Sequence, residues 1–224
     1  WGRDFFLRPT GADYTDFRPY IEHRILHMPD AVDDIGTDDN KIAGLELYRA
    51  TAAHMAAHMC YSTQPISAEQ LSPAQIFFIG FVEDARVEYK AINDFPGLKK
   101  LWTSLLKTAQ QDEEVEHPTM AQLEHIALML IDSSASSDDQ QINGLVEKFH
   151  NEIEIRQDDN QLSWHLGLEL YNIFSARKEV PSLRILERIR IPYRDDNRYV
   201  WEFEEFDMNA EFEYVPASQR QVRR

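Results

Sequence analysis

Between Ser72 and Gly97 the chain carries a helix that has to lie at the centre of whatever it folds into. Ser72, then Pro73, then Gln75 three residues after the serine form a capping box with proline at the first helical position. Ile76, Phe77, Phe78, Ile79, Phe81 and Val82 follow, too many apolar side chains for one solvated helix face. Asn93-Asp94-Phe95-Pro96-Gly97 ends the helix. Within it stands Glu83-Asp84-Ala85-Arg86-Val87-Glu88. Glu83 falls on the stripe of Ile76, Ile79 and Val87, so its carboxylate needs a partner: a metal, a histidine or Arg86.

The rest of the pattern is helical around that element. A helix is expected from Asp38-Asp39-Asn40 to about Tyr61, with Leu45, Tyr48, Ala52, Met55 and Met59 as its buried stripe. Others are expected over 98–110, over 120–131 behind a Thr119/Gln122 capping box, over 141–156 and 161–176, and near 182–190. Residues 1–38 read as irregular, broken by Pro9, Pro19 and Pro29. From Arg198 the period changes to two: Tyr199, Trp201 and Phe203 alternate with Val200, Glu202 and Glu204. The expected fold class is mostly α, with a helical domain over 1–197. An acidic–aromatic extended or hairpin segment follows over 198–217, turning near Asp207–Ala210, and then a basic tail over 218–224.

A net charge of −16 disfavours nucleic acid and anionic membranes as partners. The single cysteine, Cys60, excludes an internal disulfide and fits a reducing, cytoplasmic setting. The longest apolar run, Ile126–Ile131, is too short to span a bilayer. No glycine-rich phosphate loop occurs, so nucleotide chemistry has no site in this sequence.

His54 and His58 stand at i and i+4, one face of one helix, where two imidazoles can share a metal. With Glu83 from the next helix they complete the ligand plan of a gluzincin-type zinc site: His54, His58 and Glu83 for a divalent metal. The alternative is a polar helix–helix contact, a histidine on Glu83 with Arg86 on a nearby acid. Met55 stands where a protease of that type places its general-base glutamate, which argues against a metal-dependent hydrolase. Asp132, Ser134 and Ser136 match the metal-site pattern of von Willebrand A domains. The match is rejected because a helix, not a strand, precedes it. His23 and His27 form another i, i+4 pair. The strip of Tyr199, Trp201, Glu202, Phe203, Glu204 and Glu205 is either packed on the helices or a docking surface for a partner.

Three stretches taken together, Tyr48 to His58, Phe81-Val82-Glu83-Asp84-Ala85-Arg86-Val87-Glu88-Tyr89 and Phe95-Pro96-Gly97, resemble the N-terminal region of the NorD/CbbO family. The likeness covers about residues 42–106, with Ile191–Asp196 and Tyr199–Trp201 fitting less specifically. The resemblance implies a non-catalytic adaptor for a MoxR-type AAA+ ATPase. In CbbO the ATPase is CbbQ and the target is inhibited Rubisco; in NorD the task is maturation of nitric oxide reductase. It also implies that the target-recognising von Willebrand A domain lies outside this stretch. No cofactor is required by that reading.

Overall fold

The computed structural model describes residues 6–10, 18–37, 40–110 and 117–203. The chain runs β1 (Phe6–Thr10), β2 (Tyr20–Glu22), β3 (Ile25–Pro29), α1 (Gly44–Tyr61), β4 (Ile66–Ser67), α2 (Pro73–Asp94), α3 (Gly97–Ala109), α4 (Pro118–Ile131), α5 (Gln140–Arg156), α6 (Gln161–Ala176), α7 (Leu183–Leu186), a 3₁₀ turn (Arg198–Val200) and β5 (Trp201–Glu202). The fold is mostly α. No described helix is long and apolar enough to cross a membrane.

Helix α2 is the axis. Its capping box forms as expected: the Ser72 hydroxyl accepts from Gln75 N, and Gln75 Oε1 accepts from Ser72 N. It packs most extensively on α6, then on α1, α4 and α3. The α2–α6 contact is close because Gly167 sits where a Cβ would come within 2.4 Å of the Ile79 backbone. Phe78 wedges against Phe174 and Tyr171 beside it. Trp102 of α3 is buried and donates from Nε1 to the Ala50 carbonyl, tying α3 to α1.

Several expectations need correction. α1 begins at Gly44, not behind Asn40; Asp38 and Asp39 lie outside the described residues. Its first amide is held from afar, Gly44 N donating to Asp34 Oδ1 at 2.8 Å. Leu45 is exposed, and the inward face is Leu47, Ala50, His54, Ala57 and His58, while Met55 and Met59 face the small sheet. α4 is opened by Pro118 and the His117 ring, which accepts from Thr119 N. The Thr119/Gln122 box does not form because tertiary partners take both side chains: Thr119 donates to the Glu179 carbonyl and Gln122 to Asp139.

Residues 20–29 are not irregular but a hairpin. β2 and β3 pair antiparallel across a two-residue turn in which His23 and Arg24 both have positive φ, and β1 adds to β3 in parallel. Tyr20 and His27, cross-strand partners, stack at 4.2 Å. His23 sits in the turn while His27 is buried in the strand, so the two do not form a shared face. Ile21, Leu26 and Met28 cover Met55 and Met59 of α1. The chain end is extended only in part: Trp201–Glu202 pairs in parallel with Ile66–Ser67, and the turn expected near Asp207–Ala210 lies outside the described residues.

The two glycines Gly167 and Gly144 give opposite predictions. Gly167→Ala forces α6 off α2 and is expected to destabilise by about 1–3 kcal/mol. Gly144, inside α5 with open space around it, should gain about 0.5–1 kcal/mol on replacement by Ala. Urea denaturation of both variants reads the pair.

Asp139 caps α5 and is bridged by Arg177. The Arg177 hydrogen bond draws its carboxyl down from 3.8 to about 2. The stability it adds is therefore present above pH 3.8 and lost as pH falls through about 2. Asp139→Ala should cost about 1 kcal/mol at pH 7, and the difference from wild type should shrink below pH 3.8 in pH-dependent melts.

Candidate metal centre

Six charged or ionisable residues of α1 and α2 are drawn into the interior. His54, His58, Glu83 and Glu88 are fully buried, and Asp84 and Arg86 nearly so. The segment 189–197, which has no regular structure before its 3₁₀ turn, threads beside them. It contributes buried Ile191, Tyr193, Arg194 and Asp195. It passes close to Gly80, where the Asn197 side chain lies 3.4 Å from the place a Cβ would take, an ordinary packing distance. Tyr193 stacks on Trp102 and meets His54 edge-on.

Adjacent residues on a helix point about 100° apart, so Glu83 and Asp84 serve different faces. Glu83 faces α6 and the end of α1. It accepts from Arg86 Nε and Nη2 at 2.7 and 2.6 Å, from Ser62 at 2.7 Å and from Ser163 at 2.7 Å. Of the partners the sequence left open, Arg86 is the one found. Glu83 is not placed with the two histidines as a ligand; it reaches His58 only through Ser62, whose oxygen lies 3.1 Å from His58 Nδ1.

The other face carries the pair Asp84 and Glu88, four residues apart. Arg194 grips Glu88 with two hydrogen bonds of 2.8 Å and stands 3.3 Å from Asp84 Oδ2. Asp84 Oδ1 then lies 3.1 Å from His58 Nε2 and 3.8 Å from His54 Nε2. Asp195 Oδ1 lies 3.7 Å from His54 Nε2 and 3.9 Å from His58 Nε2. The ligand atoms of His54, His58, Asp84 and Asp195 all fall within 4.8 Å of one another, and this buried cluster could hold a metal. His54 Nδ1 approaches Glu88 Oε1 at 3.2 Å, without the alignment of a hydrogen bond. Both ring nitrogens of His54 and both oxygens of Asp195 are buried without a hydrogen bond.

The electrostatics follow from this crowding. Burial alone would depress the His54 imidazole, but the carboxylates of Asp195, Glu88 and Asp84 outweigh it and lift it to about 9. Burial would raise Glu88; Arg194 and His54 outweigh it and draw it to about 2. Burial pushes the Tyr193 phenol well up. A cleft of ≈ 450 Å³ opens on the Asp84 and Asp195 side, lined also by Arg18, Gly80, Phe81 and Asn197.

The other candidates are placed plainly. Asp132 follows helix α4 and accepts from Ser134 Oγ in a local turn, away from the cluster. Tyr199 and Trp201 are half-buried, packed against the small sheet and the Ile66–Ile79–Val200 cluster respectively. Glu202 and Phe203 are exposed, and Glu204 and Glu205 lie outside the described residues. Searches against family models, curated proteins and solved structures found no match for this chain.

Asp84 carries no signal as a ligand in the sequence, because the apolar stripe singles out Glu83 one position earlier. Asp195 lies in Ile191–Asp196, the less specific part of the resemblance, with no ligand spacing to mark it; the threading of 189–197 brings it in.

Arg194→Met should leave Glu88 buried without its counter-charge and cost about 3–5 kcal/mol in urea denaturation. Adding Glu88→Leu should recover a large part of that loss, giving a coupling of about 1–3 kcal/mol in the double-mutant cycle. Additive losses would show that the two side chains do not act as a pair.

Proposed function

We propose that this chain is a non-catalytic helical adaptor domain of a CbbO-like protein, one that binds a MoxR-type AAA+ ATPase and supports Rubisco reactivation. One observation supports it above the others. The charged residues that carry the family resemblance, His54, His58, Glu83, Asp84, Arg86 and Glu88, are all buried in and around the α1–α2 contact. There they organise the interior, so recognition of other molecules falls to the surface. That surface belongs to a chain of net charge −16 and presents Phe203, 63% exposed, beside Glu202 at the end of β5. An acidic surface with an aromatic anchor suits a basic docking site on a protein partner.

The hydrolase reading fares worse on the same geometry. Glu83 is engaged by Arg86, Ser62 and Ser163, and Met55, at the position of the general base, is buried against the small sheet.

The adaptor reading is tested by co-purifying this chain with a cognate MoxR-type ATPase. Binding is expected at low salt, with a loss of roughly tenfold as ionic strength rises past the physiological range. Glu202→Lys should weaken it further. Absence of binding at low salt, with the helical circular-dichroism spectrum intact, would sink the proposal.

A further inference from the structure

We propose that His54, His58, Asp84 and Asp195 bind one divalent transition-metal ion of the zinc class, an N₂O₂ centre that fastens the α1–α2 pair to the segment 189–197. The inference stands apart from the adaptor reading: an adaptor without the ion and a metal centre without the ATPase are both physically coherent.

Three independent features of the site carry it. The first is geometry. Ligand atoms about 2.1 Å from a tetrahedral ion lie roughly 3.4 Å apart. The four nitrogen–oxygen separations in the cluster are 3.1, 3.7, 3.8 and 3.9 Å and all the ligand atoms lie within 4.8 Å, so closing on an ion needs shifts of roughly half an ångström for the nitrogen–oxygen pairs and about 1.4 Å at the widest separation.

The second is the second layer of contacts. A metal-bound imidazole turns its other nitrogen to an oxygen acceptor, which fixes the ring and its tautomer. Both rings have an oxygen on that side, hydrogen-bonded in His58 and 3.2 Å away without hydrogen-bond alignment in His54. His54 turns Nδ1 to Glu88, and His58 turns Nδ1 to Ser62, whose hydroxyl proton goes to Glu83 at 2.7 Å. The Ser62 oxygen then accepts from His58 Nδ1–H, which leaves His58 Nε2 facing Asp84 Oδ1 at 3.1 Å. Glu83, taken from the sequence as a ligand, becomes the group that orients one.

The third is unsatisfied polarity and charge. His54 and Asp195 are buried with none of their four ligand-capable atoms in a hydrogen bond, a costly arrangement that an ion would relieve at one atom of each. Four buried carboxylates, Glu83, Asp84, Glu88 and Asp195, face two buried guanidiniums, Arg86 and Arg194. Carboxylates outnumber guanidiniums there by two, a surplus that favours a bound cation. Two imidazoles and two carboxylates suit zinc and its first-row neighbours better than calcium or magnesium, which take oxygen ligands. The cleft beside Asp84 and Asp195 provides the way in.

The test uses the whole chain, purified without chelators or metal-affinity resin. Elemental analysis should find about one divalent transition-metal ion per chain. After stripping, Zn²⁺ at a hundredfold excess over its dissociation constant should raise the melting midpoint by roughly 5–10 °C. Co²⁺ in its place should give the visible d–d absorption of a four-coordinate site. Asp195→Asn should abolish both the Zn²⁺ response and the Co²⁺ spectrum, yet melt no lower than stripped wild type, because it replaces a buried carboxylate that makes no hydrogen bond. Asp132→Asn, away from the cluster, should leave the stoichiometry unchanged. If Asp195→Asn fails to fold, titration of stripped wild type with Zn²⁺ and Co²⁺ decides alone. The proposal is overturned if stripped wild type binds neither ion by calorimetry. It is also overturned if Asp195→Asn and His58→Gln both keep full metal uptake.

Discussion

The burial of charge in α2 governs this structure. A helix as apolar as Pro73–Asp94 has to be enclosed, and enclosing it takes Glu83, Asp84, Arg86 and Glu88 out of water with it. Unpaired, each of those groups would cost several kcal/mol, and the four together more than a domain of this size keeps in reserve. The fold therefore has to deliver partners to specific places. Arg86 closes on Glu83 within the helix, one turn apart. Glu88 and Asp84 have no such local answer and depend on Arg194, more than a hundred residues along the chain.

That dependence explains features that look unrelated. Gly80 is small where the segment 189–197 crosses α2. Asn197 adopts a left-handed conformation as the chain leaves the interior and enters its 3₁₀ turn. The same segment brings Tyr193 to stack on Trp102, so the polar cluster is walled by aromatic rings and sheltered from bulk water on that side. On the far face of α1, the hairpin β2–β3 covers Met55 and Met59. α1 is thus buried on two sides, which is why its buried residues do not form one stripe.

Interior and exterior carry separate tasks under the proposals above. The histidines and carboxylates of α1 and α2 are spent on internal order, where their contacts lock two helices and one irregular segment together. Recognition of a partner is left to a strongly acidic surface. An ion in the cluster would add to internal order without touching that surface, since its ligands are all buried.

The sequence by itself determined the helices and the centrality of α2, because capping chemistry and the density of apolar residues act locally. Ser72, Pro73 and Gln75 need nothing from the rest of the chain. It also determined that His54 and His58 share a face, since four residues is about one helical turn. It did not reveal the hairpin at residues 20–29, whose turn is His23-Arg24 rather than a glycine pair, so the usual compositional mark of positive φ was missing. Nor did it show where α1 and α4 begin, because Asp34 caps one from ten residues away and distant partners take Thr119 and Gln122. Which carboxylates face the histidines was decided only by tertiary structure. Glu83 and Asp84 are neighbours in the chain, but a 100° step around the helix sends one to Arg86 and the other to His58. Asp195 joins them because a segment without regular structure is threaded into the core, a placement fixed by long-range ion pairing and packing that leaves no local periodicity to read.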